Sequence, residues 1–281
     1  MYNIETNKYI NKLFIDGNAP IENNLMLNNI LLQYDILYFN KNFNQKLDNL
    51  TSNIKAIRFA NYNTNNNFIN YNTNNYYINI VNLHCNESFL FNQPIINLPP
   101  DLELLELSGV FEQSLAFLPL KLKCLILNIY NFARVCLDLL PIYLEILILK
   151  SNSYSFTALP YGLRELYLIG HNSGLICNLP PNLYLLFING NLNYLDIYFT
   201  LPDNLEVFIF NDNEYLEINY KIIKTKLKNK EFPKTLKEIQ FPTWYCKYNS
   251  ELINLTSYID NVIIIYKYIN DDILNNILHK Y

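Results

Sequence analysis

Short alternations of leucine with polar residues recur along most of the chain, and a Leu-Pro pair introduces each of the clear ones. These copies share the phrase Leu-Pro-x-x-Leu-x-x-Leu-x-Leu. They are LPPDLELLEL, LPLKLKCLIL, LPIYLEILIL, LPYGLRELYL, LPPNLYLLFI, LPDNLEVFIF and FPKTLKEIQF, beginning at Leu98, Leu118, Leu140, Leu159, Leu179, Leu201 and Phe232. Successive prolines are mostly about 20 residues apart. A repeat of this length predicts a solenoid of stacked units.

Each unit predicts one short strand that follows its proline. Segments such as Leu105-Glu106-Leu107 alternate with the period of a strand, and the proline before them cannot continue a hydrogen-bonded ladder. One unit cannot bury its own leucines, whereas stacked units bury them together and pair their strands in parallel. Weaker copies occur around Leu37, from Leu50, around Leu83 and from Leu255. The pattern therefore predicts a parallel sheet of about eleven short strands.

A second column of residues favours the leucine-rich-repeat type of solenoid. Eight residues after the first strand leucine come Asn152, His171, Asn191 and Asn213. Leucine-rich repeats carry an asparagine ladder at this place, which satisfies backbone groups where the chain turns. We therefore expect a leucine-rich-repeat solenoid of the α/β horseshoe class, mostly β, with the parallel sheet on its concave side.

A third motif points to a family. Phe91-Asn92-Gln93-Pro94-Ile95 is echoed in the segments 43–47 and 111–115, which read FNQKL and FEQSL. This motif resembles the FNIP repeat, a short leucine-rich-repeat variant known from amoebal and giant-virus proteins. The resemblance implies a solenoid for protein–protein interaction, which in some members follows an F-box. It also implies an alternative function, substrate recognition for a ubiquitin ligase, although no F-box is recognisable in residues 1–32.

The spacing divides the chain into three parts. Residues 33–265 form the predicted solenoid, with insertions near 60–76, rich in Asn and Tyr, and near 214–231, rich in Lys. Because the ends of a stacked array expose core leucines, residues 1–32 are expected to form an N-terminal cap. Residues 266–281 are expected to form a C-terminal capping helix, since Asn270-Asp271-Asp272 is a helix-capping start.

Composition narrows the classes of partner and the compartment. The chain has 281 residues, 51% hydrophobic and 16% charged, with a formal net charge of −4 and a pI of about 5.4. Nothing in this balance attracts nucleic acid or an anionic membrane. The N-terminal residues do not form a readable secretory signal, so we expect a cytoplasmic protein, in the host cytoplasm if the source is viral.

The sequence carries little chemistry that would serve an enzyme. The five cysteines have no CxxC spacing and are expected to be reduced core residues, and no metal or cofactor is expected. The three histidines are scattered, and no phosphate loop or catalytic motif is present. A non-catalytic role is therefore favoured. The enzyme alternative would require Arg58, His84 and Glu106, which occupy one column of neighbouring units, to cluster in a pocket.

The strand residues between the inward leucines predict the binding face. Five consecutive units are apolar in this column, and the preceding column is mostly apolar too. The resulting partner-binding candidates are Ile126, Ile148, Tyr167, Phe187, Ile209, Leu185 and Val207. If exposed, this stripe would form a groove for an apolar partner segment, with Tyr167 and Phe187 as its anchors. The open alternatives are burial by the chain itself, through the lysine insertion or a terminus, self-association through the same face, and β-propensity alone.

Overall fold

The structure is a computed structural model. It describes residues 2–7, 10–15, 31, 33–48, 50–59, 71–72, 75–76, 89–130, 132, 135–151, 156–170, 179–189, 200–211, 232–242 and 263–267. For β1, β5, β6 and β14, whose bounds follow, the backbone alone is described. None of the described helical segments is long and apolar enough to cross a membrane.

One sheet of twelve strands organises the described part of the chain. The fourteen strands of the described residues are β1 (Tyr2–Asn7), β2 (Ile10–Ile15), β3 (Ile36–Phe39), β4 (Ala56–Phe59), β5 (Tyr71–Asn72), β6 (Asn75–Tyr76), β7 (Leu104–Gly109), β8 (Cys124–Ile129), β9 (Ile146–Lys150), β10 (Glu165–Ile169), β11 (Leu185–Asn189), β12 (Val207–Asn211), β13 (Glu238–Pro242) and β14 (Ile263–Lys267). Their order follows the chain, except that β5 and β6 form a separate antiparallel hairpin and β4 pairs directly with β7. The β1–β2 pair is antiparallel and every later pair of this sheet is parallel. This is a leucine-rich-repeat type of solenoid.

The Leu-Pro phrase forms the turn that begins each repeat. The carbonyl of Pro99 accepts a hydrogen bond from the N–H of Leu102 at 3.1 Å, and the same bond recurs from Leu122 to Pro119. It is repeated at Pro141, Pro160, Pro180, Pro202 and Pro233. Proline fixes its own φ, and the turn aims the following leucine into the core, where Leu102 and Leu122 are fully buried. We call the edge of the sheet at which these turns lie the turn edge.

Two hydrogen bonds attach each turn to the repeat before it. The carbonyl of Glu103 accepts from the N–H groups of both Lys123 and Cys124, at 2.9 and 3.0 Å. The carbonyl of Lys123 in turn accepts from Glu145 and Ile146. Since the pattern recurs from Asp35 to Glu206, it fixes the register of all the strands between them.

The inward leucines form one continuous core on the first face of the sheet. Leu105, Leu125, Leu147, Leu166 and Leu186 occupy matching positions of consecutive strands and are 0–1% exposed. This confirms the predicted strand phase. At ~25 cal/mol per Å² of apolar area removed from water, burial of this kind is the main favourable contribution to folding.

The Phe-Asn-Gln motif builds a second ladder beside this core. The rings of Phe43, Phe91 and Phe111 are buried and stacked, with centroids 6.1 and 6.0 Å apart. The side-chain oxygen of Asn92 accepts from the backbone N–H of Glu112 at 2.9 Å and from the Gln113 amide at 3.0 Å. Asn44 does the same for the Asn92 N–H and the Gln93 amide. The motif thus ties each unit to the next.

The strand order adds detail to the predicted sheet. β4 pairs directly with β7, where Ile57 lies opposite Leu105, and the strand predicted around Leu83 lies outside the described residues. The parallel ladder also includes β2, within the segment expected to be a cap, since Leu13 pairs with Leu37. The positions of the expected asparagine ladder, the lysine insertion and the expected C-terminal helix from 268 onward lie outside the described residues.

Replacing a core leucine should destabilise the protein far more than replacing an exposed one. We expect Leu147→Ala, in the core, to lower the free energy of unfolding by about 2 to 5 kcal/mol through cavity formation. Leu139→Ala, at a residue that is 54% exposed, should change it by no more than about 0.5 kcal/mol. Urea unfolding followed by circular dichroism measures both, and equal losses would contradict the strand phase.

Candidate functional site

The residues proposed as the binding face lie on the second face of the sheet, and they are not exposed. Tyr167 and Leu185 are 3% and 4% exposed, Val207 is 5% exposed and Phe187 is fully buried. The remaining candidates, Ile126, Ile148 and Ile209, are 0–1% exposed. The expectation that this stripe is open to a partner is therefore wrong.

A second hydrophobic core occupies this face. The candidate residues pack with Ile36, Tyr38, Ala56, Leu104, Cys124 and Ile169 in one cluster, separate from the leucine core on the first face. The rings of Tyr167 and Phe187, on adjacent strands, have centroids 5.8 Å apart. Because the structure contains one chain, the burial is intramolecular, as one alternative drawn from the sequence has it. An apolar column shows that residues avoid water, but it does not show what covers them.

Polar side chains are set into this second core. Arg58 and Glu106 are 6% and 0% exposed and face each other across the β4–β7 pair. Both Nε and Nη2 of Arg58 bind Oε2 of Glu106, and the guanidinium carbon lies 5.7 Å from the ring centroid of Tyr38. Oε1 of Glu106 is buried and has no hydrogen-bond partner. The pair thus neutralises two charges in a site with little water.

Only two of the three residues of the catalytic cluster considered above are described by the structure. Arg58 and Glu106 are brought together as an ion pair, whereas His84 lies outside the described residues. Within the described ranges, no group of three His, Cys, Asp or Glu side chains could hold a metal ion.

Burial is the main cause of the raised pKa values of Cys124 and Tyr167 in the second core. Burial of the thiol, followed by the nearby Glu165 carboxylate, raises the pKa of Cys124 far above its usual range. The pKa of Tyr167 is raised in the same way, first by burial and then by Glu165. The Tyr167 hydroxyl donates to Oε2 of Glu165 at 2.7 Å, and the Tyr184 hydroxyl donates to Oε1. Cys124 is therefore held as the unreactive thiol.

Exposed apolar side chains lie instead at the turn edge. Consecutive turns carry residues that are 54% to 69% exposed, and we call this set the turn ridge. It consists of Phe117, Leu120, Leu139, Ile142, Tyr143 and Tyr161. The exposed prolines Pro100 and Pro181 continue the Leu120–Ile142–Tyr161 column in the turns on either side. Apolar residues aligned on neighbouring repeats form a contiguous surface, unlike isolated exposed leucines.

A row of charged residues of alternating sign lies directly beside the turn ridge. It occupies the position after the turn leucine in each repeat, and we call it the charge ladder. Its members are Asp35, Lys55, Glu103, Lys123, Glu145 and Arg164. After Tyr184, Glu206 and Lys237 continue the alternation. Neighbours attract along the ladder: Lys123 lies 3.3 Å from Glu103, and Lys237 lies 2.7 Å from Glu206.

An open groove of about 340 Å³ connects the turn ridge with the charge ladder. Leu120 and Tyr143 of the turn ridge line it, together with Lys55, Asp101, Glu103, Lys121, Lys123 and Glu145. Asp101 lies between Lys121, at 2.5 Å, and Lys55, at 3.9 Å. The hydrogen bond from Lys121 and its charge hold the pKa of the Asp101 carboxyl below its usual range. The groove therefore has charges of both signs close to exposed apolar side chains.

A signal for both surfaces was present in the sequence. The residue after each repeat proline is apolar or proline from Pro100 to Pro181, and the residue after the turn leucine changes sign from one unit to the next between Glu103 and Arg164. Both signals lie in the turns and not in the strand columns that predict the binding face. The sequence likewise expects every cysteine in the core, which is wrong for Cys136, since it is exposed. Cys85, Cys177 and Cys246 lie outside the described residues.

Comparison with known proteins finds structural similarity but no matching family. No family model matches the chain, and no curated protein matches it. Among solved structures, the chain is similar to CroV588, a circular leucine-rich-repeat protein, with 20% sequence identity and a TM-score of 0.46. The match covers 85% of this chain and 38% of that one, so the chain spans well under half the length of CroV588.

The burial of the second core predicts which cysteine reacts. In native protein, we expect a maleimide reagent to modify Cys136, which is exposed, at least tenfold faster than Cys124, which is buried and held as the thiol. Peptide mass spectrometry after timed quenching assigns each site, and a denatured sample shows that both can react. Similar native rates at the two residues would contradict the burial of the second face.

The buried ion pair predicts a non-additive pair of substitutions. Arg58→Met leaves the Glu106 carboxylate buried without its cation and should lower the free energy of unfolding by about 3 to 5 kcal/mol. The double variant Arg58→Met/Glu106→Leu removes both charges and should recover most of that loss. Chemical denaturation of wild type and of both variants tests the coupling. If Arg58→Met lowers the free energy of unfolding by less than about 1 kcal/mol, the effect is typical of an exposed ion pair and contradicts the burial of Arg58 and Glu106.

Proposed function

We propose that this protein is a non-catalytic protein-binding solenoid whose partner docks on the turn ridge and the charge ladder. The single observation that carries the proposal is the alignment of exposed apolar residues on consecutive turns, from Phe117 to Tyr161. A chain in water gains nothing in its own folding from such a row, whereas a partner that covers the row removes it from water.

The rigidity of the turn edge supports this placement. Each turn is closed by the bond from its leucine to its proline and is tied by two further bonds to the preceding repeat. Side chains presented on such turns lose little additional freedom when a partner binds. The second face, by contrast, offers no surface, because its apolar side chains are already packed.

We infer in addition that the repeats are of the FNIP type. The support lies in the Phe-Asn-Gln motif, whose phenylalanines stack and whose asparagines bind the next unit. On this proposal the residues of the motif have a structural role in stacking.

A double substitution on the turn ridge should abolish partner binding without unfolding the protein. We expect Leu120→Glu/Ile142→Glu to lower retention of the partner at least tenfold, because two carboxylates would have to be buried in the interface. The matched control is Val110→Glu/Tyr130→Glu, which changes two exposed residues at the opposite edge of neighbouring repeats. Quantitative mass spectrometry of proteins retained from native cell extract provides the measurement.

Circular dichroism of all three proteins should show the same fold. A protein retained by wild type and by the control, and lost from the turn-ridge variant, is the expected result. Equal retention by all three proteins, together with no effect of the turn-ridge variant on self-association, would contradict the proposal.

A further inference from the structure

We propose that the occupant of the turn ridge and charge ladder is a second copy of this chain, bound antiparallel about a two-fold axis between the repeats of Lys123 and Glu145. This inference rests on the proposed function, since it uses the same surface. It follows from the sign pattern of the ladder, the position of the apolar residues and the common spacing of the two rows.

The symmetry of a two-fold dimer selects the antiparallel arrangement. Each copy contributes two parallel rows, the turn ridge and the charge ladder. When the two surfaces pack face to face about a two-fold axis perpendicular to these rows, each row faces the same row of the other copy in reverse order. Turn ridge then faces turn ridge, and charge ladder faces charge ladder. Both copies carry the strand spacing of ~4.8 Å, so the two rows stay in step along their whole contact.

The charges of the ladder are complementary in this arrangement. An axis between Lys123 and Glu145 places these two residues opposite each other in both halves of the interface. The next positions outward, Glu103 and Arg164, also oppose each other with opposite sign. A strictly alternating row is self-complementary only when the axis falls between two units, because an axis through a unit pairs like charges.

The apolar residues and the ladder charges together select one axis. Five of the six turn-ridge residues belong to the repeats of Lys123 and Glu145, and the proposed axis sets Leu120 against Ile142 and Phe117 against Leu139. An axis one unit earlier along the chain also alternates the charges, but it would place Ile142 opposite the polar turn residue Ser52. An axis one unit later would place Lys123 opposite Tyr184 instead of a residue of opposite charge.

The size of the surface predicts a weak, reversible dimer. Four repeats at ~4.8 Å and a width of roughly 15 to 20 Å give an area on the order of 300–400 Å² per copy. Stable dimers bury about 800 Å² per copy. We therefore expect dissociation constants of about 100 µM, weakened by salt because part of the attraction is between exposed charges.

Sedimentation equilibrium of the purified full chain tests the proposal. From about 5 to 500 µM, in low salt, the mean mass should rise from 33.3 kDa toward twice that value. Lys123→Glu and Glu145→Lys should each weaken association at least tenfold, because each places two like-charged pairs across the axis. Lys46→Glu, an exposed lysine of the Phe-Asn-Gln motif, is the matched control and should associate like wild type.

Mixing the two charge variants separates the interface from effects within one chain. In a mixed dimer, the carboxylate introduced at position 123 of one variant would face the ammonium introduced at position 145 of the other, and the second half of the interface would keep the native pair of Lys123 with Glu145. An equimolar mixture of Lys123→Glu and Glu145→Lys should therefore regain association close to that of wild type. The loss of charge pairing within each chain is the same in the mixture as in that variant alone, so it does not account for restored association. Circular dichroism monitors the fold of each variant. Restored association supports this dimer.

Two outcomes would overturn the inference. One is a mass of 33.3 kDa across the whole concentration range. The other is association that the mixture fails to restore. If the purified chain stays monomeric while the turn-ridge variant loses a protein from cell extract, the second copy is the wrong occupant and the proposed function stands. If the purified chain stays monomeric and the turn-ridge variant retains the same proteins from cell extract as wild type and the control, both proposals fail.

Discussion

None of the described repeats can satisfy its own backbone or bury its own leucines, so each one depends on the repeat before it. The carbonyl at the ladder position of one unit accepts two N–H groups from the next, as Glu103 does for Lys123 and Cys124. A one-residue slip would break both bonds and turn the leucines of that strand toward the wrong face. Register, core and turn edge are therefore consequences of the same contact between neighbours.

The spacing of the Leu-Pro phrase predicted the turns and the leucine core because both follow from local chemistry. A proline that fixes φ and a leucine three residues later suffice to define the turn seen at Pro99 and Leu102. The direct pairing of β4 with β7 does not follow from the repeat pattern. Pairing is decided between segments, and Arg58 and Glu106 have opposite charges that favour direct pairing of their strands.

The candidate site was less predictable, because exposure is a property of the whole fold. Ile148 and Ile142 are the same residue type, six positions apart, yet the first is fully buried and the second is 62% exposed. Apolar strand positions such as Ile148 would serve equally well as a docking face and as a second core. The turn positions are different: the turn leucine already fills the core at each repeat, so Leu120 and Ile142 have no place left inside it.

A sheet that is packed on both faces leaves its edges as the surfaces through which it can act. In the described repeats the backbone groups at the turn edge form hydrogen bonds between neighbouring repeats. A partner at this edge is therefore recognised by side chains. Apolar residues supply the attraction and charges of alternating sign set the register between partners. Since one repeat unit generates both rows, their spacing is that of the sheet itself. A surface with this periodicity is matched over several repeats by another sheet of the same kind, which is the physical reason for expecting a second copy rather than an unrelated chain.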